Sequence, residues 1–276
     1  LWKKLFELKF YDYTPNLSAA WIWSRIRRIG RSRYDLFREK LGYLDGGSAT
    51  LLNGMKQAIE ARGGEFRLST PVTRVTMDSG KVTGVQTPAG IEAFDKVIST
   101  IPLPYVPQVM PDLPADVLAK YRALKNIAVV CVIAKLKKPL TDNFWLNTND
   151  PEMDIPGIVE YTNLRPLGQH VVYVPFYMPG EHSKYQDDDS VFLDKVRRYL
   201  KKINPALQDS DFIDIRASRY RHAQPICDPG YLAKLPPVKL PVEGLWVADT
   251  SYYYPEDRGI SESIGFGRQM ARDAVQ

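Results

Sequence analysis

A chain of 276 residues, 44% hydrophobic and 25% charged, is long enough to bury one large core or two lobes and is neither a disordered tail nor a low-complexity fibre. Its longest apolar run, 127–134, is too short to cross a bilayer, and no secretory signal is visible. The formal charge of +5 is modest, and the two cysteines, Cys131 and Cys227, make no disulfide framework or metal spacing, so reduced thiols in a cytoplasmic setting are expected.

The basic residues are unevenly spread. Arg25, Arg27, Arg28, Arg31, Arg33, Arg38 and Lys40 fall close together, with only Asp35 and Glu39 among them. Such a face suits an anionic substrate or peripheral contact with a lipid surface, although a solvated helix face, or one that covers another part of the same protein, accounts for it more simply. No nucleic-acid motif accompanies it, so no nucleic-acid partner is expected. Trp21 and Trp23, just before the run, are expected to pack into the core.

Gly42-Tyr-Leu-Asp-Gly-Gly-Ser48 then leads into a helix whose apolar Leu51, Leu52, Met55, Ala58 and Ile59 recur at helical spacing, ending at Gly63-Gly64. Short strands are predicted at 66–68, 71–76, 81–87 with Gly80 at a turn, and 96–104. Proline-rich stretches at 102–114 and 235–241 are the expected crossings between lobes.

The middle region reads as a sheet carrying helices. The β-branched run 127–134 predicts a central strand buried on both faces, with 157–163, 171–177 and 212–215 as neighbouring strands. Residues 189–203 predict an amphipathic helix that stops before Asn204-Pro205. His170, His182 and His222 lack partners at ligand spacing, so no metal site is expected. Ser183 beside His182 does not make a catalytic triad, since no Gly-x-Ser-x-Gly elbow exists. Tyr220, Arg221, His222 and Gln224 form a polar cluster before Pro225.

The chain closes with a buried strand at Trp246 and Val247, a loop beginning Asp249-Thr-Ser-Tyr-Tyr-Tyr-Pro-Glu-Asp-Arg-Gly259, and a helix starting near Ile260. A strand followed by a polar turn and a helix N-terminus aims amides at whatever sits there, a geometry suited to phosphate. Arg258 adds a cation, and the small residues Ser261, Ser263, Gly265 and Gly267 would let the helix pack closely on a sheet or a flat ring.

The Gly-Gly helix, the strand beginning Pro71-Val72, the Ile98-Ser-Thr-Ile-Pro102 crossover and the closing loop and helix occur in order over nearly the whole chain. Together they resemble the FAD-dependent amine oxidase, protoporphyrinogen oxidase and phytoene desaturase superfamily, and in particular the branch with a Tyr-Pro-Glu-Asp-Arg-Gly element near its end. Such flavoproteins open with a strand, Gly-x-Gly-x-x-Gly and a helix. No strand here is followed by that motif. The resemblance therefore implies the C-terminal part of a longer flavoprotein, partnered by its own N-terminal portion, with FAD not retained by this chain alone.

The implied fold is mixed α/β: the remainder of an FAD/NAD(P)-binding domain (41–104 and 240–276) plus a substrate lobe (1–40 and 105–239) with a mostly antiparallel mixed sheet and helices. By the resemblance, Val72 would meet the adenine through its backbone, and Ser99 and Thr100 would line the cofactor. Asp249, Thr250, Ser251, Gly259 and Ile260 would meet the ribityl, pyrophosphate and ring, with Arg258 near negative charge. Asp249 departs from relatives that carry glycine there. Tyr220, His222 and Tyr254 are the substrate-facing candidates, and no catalytic residue is assigned.

The implied reaction is hydride transfer from an organic substrate to flavin N5. Sixteen tyrosines suit a large apolar or conjugated small molecule. The alternatives are a flavin-dependent isomerase resembling UDP-galactopyranose mutase, or a non-catalytic remnant serving as an interaction module.

Overall fold

The computed structural model of the chain describes residues 2–33, 35, 42–256 and 258–276. Arg38 and Lys40 of the basic run, the expected boundary residue Leu41, and Asp257 of the closing loop lie outside the described residues. In chain order the helices are α1 (Trp2–Phe10), α2 (Ala19–Arg31), α3 (Ser48–Glu60), α4 (Val106–Val109), α5 (Ala115–Ala123), α6 (Asp189–Ile203), α7 (Tyr231–Lys234) and α8 (Ile260–Val275). The strands are β1 (Arg74–Asp78), β2 (Lys81–Thr87), β3 (Gly90–Ala93), β4 (Val97–Ser99), β5 (Asn126–Leu136), β6 (Trp145–Asn147), β7 (Gly157–Glu160), β8 (His170–Pro179), β9 (Phe212–Pro225) and β10 (Leu245–Val247). The fold is mixed α/β, and no helix among the described residues is long and apolar enough to cross a membrane.

The chain divides into two compact units, Leu1–Asn16 with Lys125–Ile226 and Leu17–Leu124 with Cys227–Gln276. It passes between them three times, and the proline-rich stretches 102–114 and 235–241 both fall inside the second unit.

The first unit is built on an antiparallel sheet of order β6-β7-β8-β5-β9. Val130, Val132, Ala134 and Leu136 of β5 and Val172, Val174, Phe176 and Met178 of β8 point to one face, where Phe192, Val196 and Leu200 of α6 cover them. Alternation in a strand sends the intervening Val129, Cys131 and Ile133 to the other face, where they are only half-buried. The run expected to be buried on both faces is therefore fully buried on one. That other face meets α1, whose Lys9 Nζ lies 5.2 Å from the Tyr177 ring centre, while Phe10 is fully buried. Helix α6 has the predicted limits, with Asp189 in its first turn and Lys201 and Lys202 in its last, both favourable to the helix dipole. Residues 157–163 end as a strand at Glu160 and finish in a 3-10 turn, and β9 runs well past the four predicted residues.

A buried-edge ion cluster fastens this unit. The Asp154 carboxylate accepts from Lys184 Nζ at 2.5 Å, Lys195 Nζ at 2.9 Å and Tyr199 Oη at 2.7 Å. Burial pushes the Asp154 carboxyl up, but those three donors outweigh it and hold it well below the usual carboxylate range.

The second unit holds an antiparallel meander, β1-β2-β3, and a parallel pair, β4 with β10. The β1-β2 turn places Gly80 at φ +78°, as its glycine predicts. Gly244 enters β10 at φ +81°, and a Cβ there would fall 2.4 Å from the Asp95 carbonyl oxygen. Only glycine lets that backbone approach the start of β4. Trp246 and Ala248 pack with Met270 and Ala274 of α8.

Three expectations fail in this unit, the first being the strand expected over 96–104, which stops at Ser99 and is followed by a 3-10 turn at Leu103–Tyr105. Residues 66–68 form no strand, because no described strand pairs with their backbone, and Phe66 and Leu68 are exposed. Trp21 is buried but Trp23 is 62% exposed, because residues two apart on a helix point about 200° apart. Helix α3 forms as predicted, yet it buries none of its residues, and Leu52, Met55 and Ile59 stand exposed.

Candidate functional site

Strand β10 is buried throughout, consistent with its Leu-Trp-Val sequence, and pairs in parallel with β4: Leu245 with Val97, Trp246 with Ile98 and Val247 with Ser99. The Val97 amide donates to the Gly244 carbonyl at 2.7 Å, and the Ala248 amide donates to the Ser99 carbonyl at 3.1 Å. Parallel pairing in this register brings both carboxyl ends to one edge. Ser99 and Thr100 therefore leave the sheet beside Asp249, Thr250 and Ser251. In α/β sheets the crevice outside the carboxyl ends of parallel strands is where ligands bind.

Asp249 joins the two exits. Its Oδ2 accepts from the Leu103 amide at 2.9 Å and its Oδ1 from the Ser251 amide at 2.8 Å, so the carboxylate also caps the 3-10 turn Thr250–Tyr253. The Asp249 carboxylate thus accepts from two backbone amides rather than facing an anion bare. Around it lie three buried or half-buried tyrosines, Tyr121, Tyr231 and Tyr252. Burial is the largest cause pushing all three phenols above their usual range; the Asp249 charge adds to it directly for Tyr121, behind the opposing Ser251 hydrogen bond and Cys227 for Tyr231, and behind Tyr121 for Tyr252, so the phenols stay protonated. The Tyr252 hydroxyl donates to the Pro236 carbonyl at 2.8 Å, whereas that of Tyr121 is buried with no hydrogen-bond partner.

The loop that follows is fastened to α2. Ser18 and Tyr254 hydroxyls lie 2.5 Å apart, and the Tyr254 ring packs on Tyr231 with centroids 5.7 Å apart. The Ser24 hydroxyl donates to the Pro255 carbonyl at 2.5 Å and Arg25 Nη1 to the same oxygen at 2.9 Å, while Arg27 pairs with Glu256. Arg25 also stacks 3.7 Å above Trp21. Part of the basic run thus holds the Tyr-Pro-Glu element in place.

Helix α8 begins at Ile260 behind Gly259, which has no side chain to cap it, although the Ser263 amide and hydroxyl both donate to the Gly259 carbonyl, at 3.0 and 2.9 Å. Glu262 lies in the first turn, and its Oε2 is 2.0 Å from where a Gly259 Cβ would stand. A carboxylate there already satisfies the dipole, so a phosphate reaching these amides would have to displace it. Arg258 is exposed beside this start.

The remaining expected residues lie elsewhere. Val72 is exposed in the segment entering β1, on the other sheet of the second unit. Tyr220 and His222 lie on β9 of the first unit. Tyr220 pairs in register with Val129, which pairs on its other side with Tyr177; Cys131 and Ile133 continue this face, with Tyr173 opposite Ile133. Burial, then the Arg221 cation, lowers the His222 pKa, with Glu181 opposing, so the imidazole is neutral near neutral pH. Burial raises the Cys131 thiol. The tyrosines at 173 and 177 went unread as site candidates, although their even spacing on a predicted strand places them on one face.

A family model described as flavin containing amine oxidoreductase matches residues 2–254. Among solved structures, an oxidoreductase from Methanosarcina mazei is similar, with a TM-score of 0.65 at 18% identity over 90% of this chain and 59% of that one. A proposed protoporphyrinogen oxidase from Exiguobacterium sp. 255-15 has a TM-score of 0.57 at 21% identity, over 75% of this chain and 47% of that one. A reduced UDP-galactopyranose mutase gives 0.60 at 15% identity, over 84% and 54%. At these identities the likeness is one of fold. The chain spans roughly half of each of these proteins, 47% to 59%.

Proposed function

The chain belongs to the flavin-containing amine oxidoreductase family, and from that premise we propose that the whole protein is an FAD-dependent oxidoreductase acting on a small organic molecule with a large apolar or conjugated part. The observation that carries this reading is the junction at which β4 and β10 deliver Ser99, Thr100 and Asp249–Ser251 to one sheet edge, tied by Asp249 to the Leu103 amide.

The donor set fits the cofactor. The hydroxyls and backbone of Thr100 and Thr250 would hold ribityl and phosphate oxygens, Arg258 would balance negative charge, and the backbone of the exposed Val72 would meet the adenine. FAD, when bound, supplies the ring that accepts a hydride from substrate carbon. The chain's own residues orient and exclude water: Tyr121, Tyr231 and Tyr252 keep the junction apolar, and their protonated phenols can donate hydrogen bonds but not act as bases near neutral pH. In the first unit, Tyr173 and Tyr220 would offer aromatic rings to an apolar substrate, with His222, on the same strand as Tyr220, as a polar neighbour. The exposed apolar residues of α3, together with Ile98 of β4, would be covered by the N-terminal portion of the same protein, which would bring the Gly-x-Gly-x-x-Gly unit.

Full-length protein is the material for the test. Purified without added cofactor it should be yellow, and anaerobic mixing with a panel of amines, porphyrinogens and polyenes should bleach the flavin band with one class. A colourless product that takes up no FAD would overturn the reading.

A further inference from the structure

Helix α2 turns a second apolar face outward. Taking about 100° per residue, Trp21 and Ser24 point inward, while Ile22, Trp23, Ile26 and Ile29 form a stripe on the opposite side. Trp23 is 62% exposed, Ile26 45% and Ile29 36%. Single exposed apolar residues are ordinary, but a tryptophan and two isoleucines in one helical stripe are not. The stripe has a cationic border: Arg27 and Arg31 run along one side at i and i+4. Four arginines and no acidic residue fall within the thirteen residues of the helix. The ion pair of Arg27 with Glu256 is solvent-exposed, and such pairs are weak, so it leaves Arg27 available to another anion. The inner side is anchored: Ser24, Arg25 and Arg27 hold Pro255 and Glu256, so the stripe is presented on a fixed helix and not on a floppy tail.

We propose that this face of α2 docks the protein on an anionic lipid surface, with Trp23, Ile26 and Ile29 seated at the boundary between headgroups and acyl chains and Arg27 and Arg31 on lipid phosphates. An apolar stripe containing tryptophan, bordered by arginine on a helix of high polarity, is the pattern that lies in a membrane interface. Charge complementarity favours this occupant over a second copy, and burial of the stripe under the N-terminal portion of the same protein would show as absence of vesicle binding by the full-length protein. A second copy of the chain across a two-fold axis would set like arginines against one another, whereas an anionic leaflet offers a continuous field of counter-charge.

The test is co-sedimentation of full-length protein with vesicles of phosphatidylcholine alone and of phosphatidylcholine mixed with phosphatidylglycerol. Binding is expected on the mixed vesicles at low salt, with loss at about 0.5 M salt where charges are screened. Arg27→Gln and Arg31→Gln should each lower partitioning about fivefold. Trp23→Ala with Ile26→Ser should lower it about tenfold or more. Ile213→Ser, at an exposed apolar site on β9, should leave it unchanged. Circular dichroism of each variant confirms that α2 substitutions leave the fold intact, as their exposure requires. Absence of binding to the mixed vesicles, binding indifferent to phosphatidylglycerol, or unchanged binding of the folded Trp23→Ala, Ile26→Ser variant would overturn the proposal, as would a change of that variant from dimer to monomer, which would assign the stripe to a second copy.

Discussion

The carboxylate of Asp249 accepts the amide of Leu103 at 2.9 Å across 146 positions of sequence. This one contact, with the second arm to Ser251, fixes how the chain leaves β4 relative to how it leaves β10. Asp249→Ala should cost about 2 kcal/mol, since it removes a charged cap and leaves the Leu103 amide without its acceptor. Urea unfolding of the chain measures this. In full-length protein the same variant should show a lower flavin-to-protein absorbance ratio, and a variant of unchanged stability would show that Asp249 does not hold the two strand exits together.

Flavin retention tests the organisation of the cofactor site. The 276-residue chain, which has no Gly-x-Gly-x-x-Gly behind any strand, is expected to purify colourless. Absorbance in the flavin band and denaturation to release bound cofactor decide the point, and stoichiometric FAD on the chain would contradict it.

At Gly244 the backbone itself is the constraint. Gly244→Ala should destabilise the second unit by about 1–3 kcal/mol from the positive φ alone, with a further loss because the new Cβ would lie 2.4 Å from the Asp95 carbonyl oxygen. Thermal unfolding reports it, and hydrogen exchange at the amides of β10 should rise first.

Core packing of the first unit should respond to Phe176→Ala. Its ring is fully buried and meets Phe192 edge-on at 5.1 Å between centroids. The expected loss is about 3–5 kcal/mol in urea unfolding.

Acid should weaken the first unit through Asp154. Burial raises this carboxyl, but Lys184, Lys195 and Tyr199 hold it below its ordinary value of 3.8 in the folded state. A depressed folded pKa means that the stabilisation is complete above the unfolded value and fades as pH falls below about 4 toward the folded one. Asp154→Asn should flatten the stability curve over that range in a pH series of denaturant midpoints. A slope equal to that of the wild type would rule the cluster out as its source.

Much of the fold is legible in local pattern. The β-branched run became β5, and the apolar positions of 189–203 became α6 with the same ends, because period two and period 3.6 are written in adjacent residues. What one face of an element meets is not local. Leu52, Met55 and Ile59 specify the helix α3 but not a cover for it, and the stretch 66–68 has strand composition without a strand to pair with. In the candidate site, the polar turn after β10 could be read directly. The use of the Asp249 carboxylate could not, since its partner amide belongs to a backbone far upstream and carries no side-chain signature. The outward stripe of α2 was hidden for a similar reason: Trp21 and Trp23 are alike as residues, and only their angular positions separate core from surface.

Helix α1 and strand β5 belong to the same unit although the whole of 17–124 is spliced between them. Lys125 Nζ sits 5.3 Å from the Tyr13 ring centre, so the ends of that excursion are neighbours. Loop-closure entropy rises only logarithmically with length, which makes α1 indifferent to how large the intervening passenger is. A gene piece starting at Lys125 would strip the sheet of α1, whereas a short glycine-serine bridge from Asn16 to Lys125, ending at Ile226, would keep every segment of the unit in one chain.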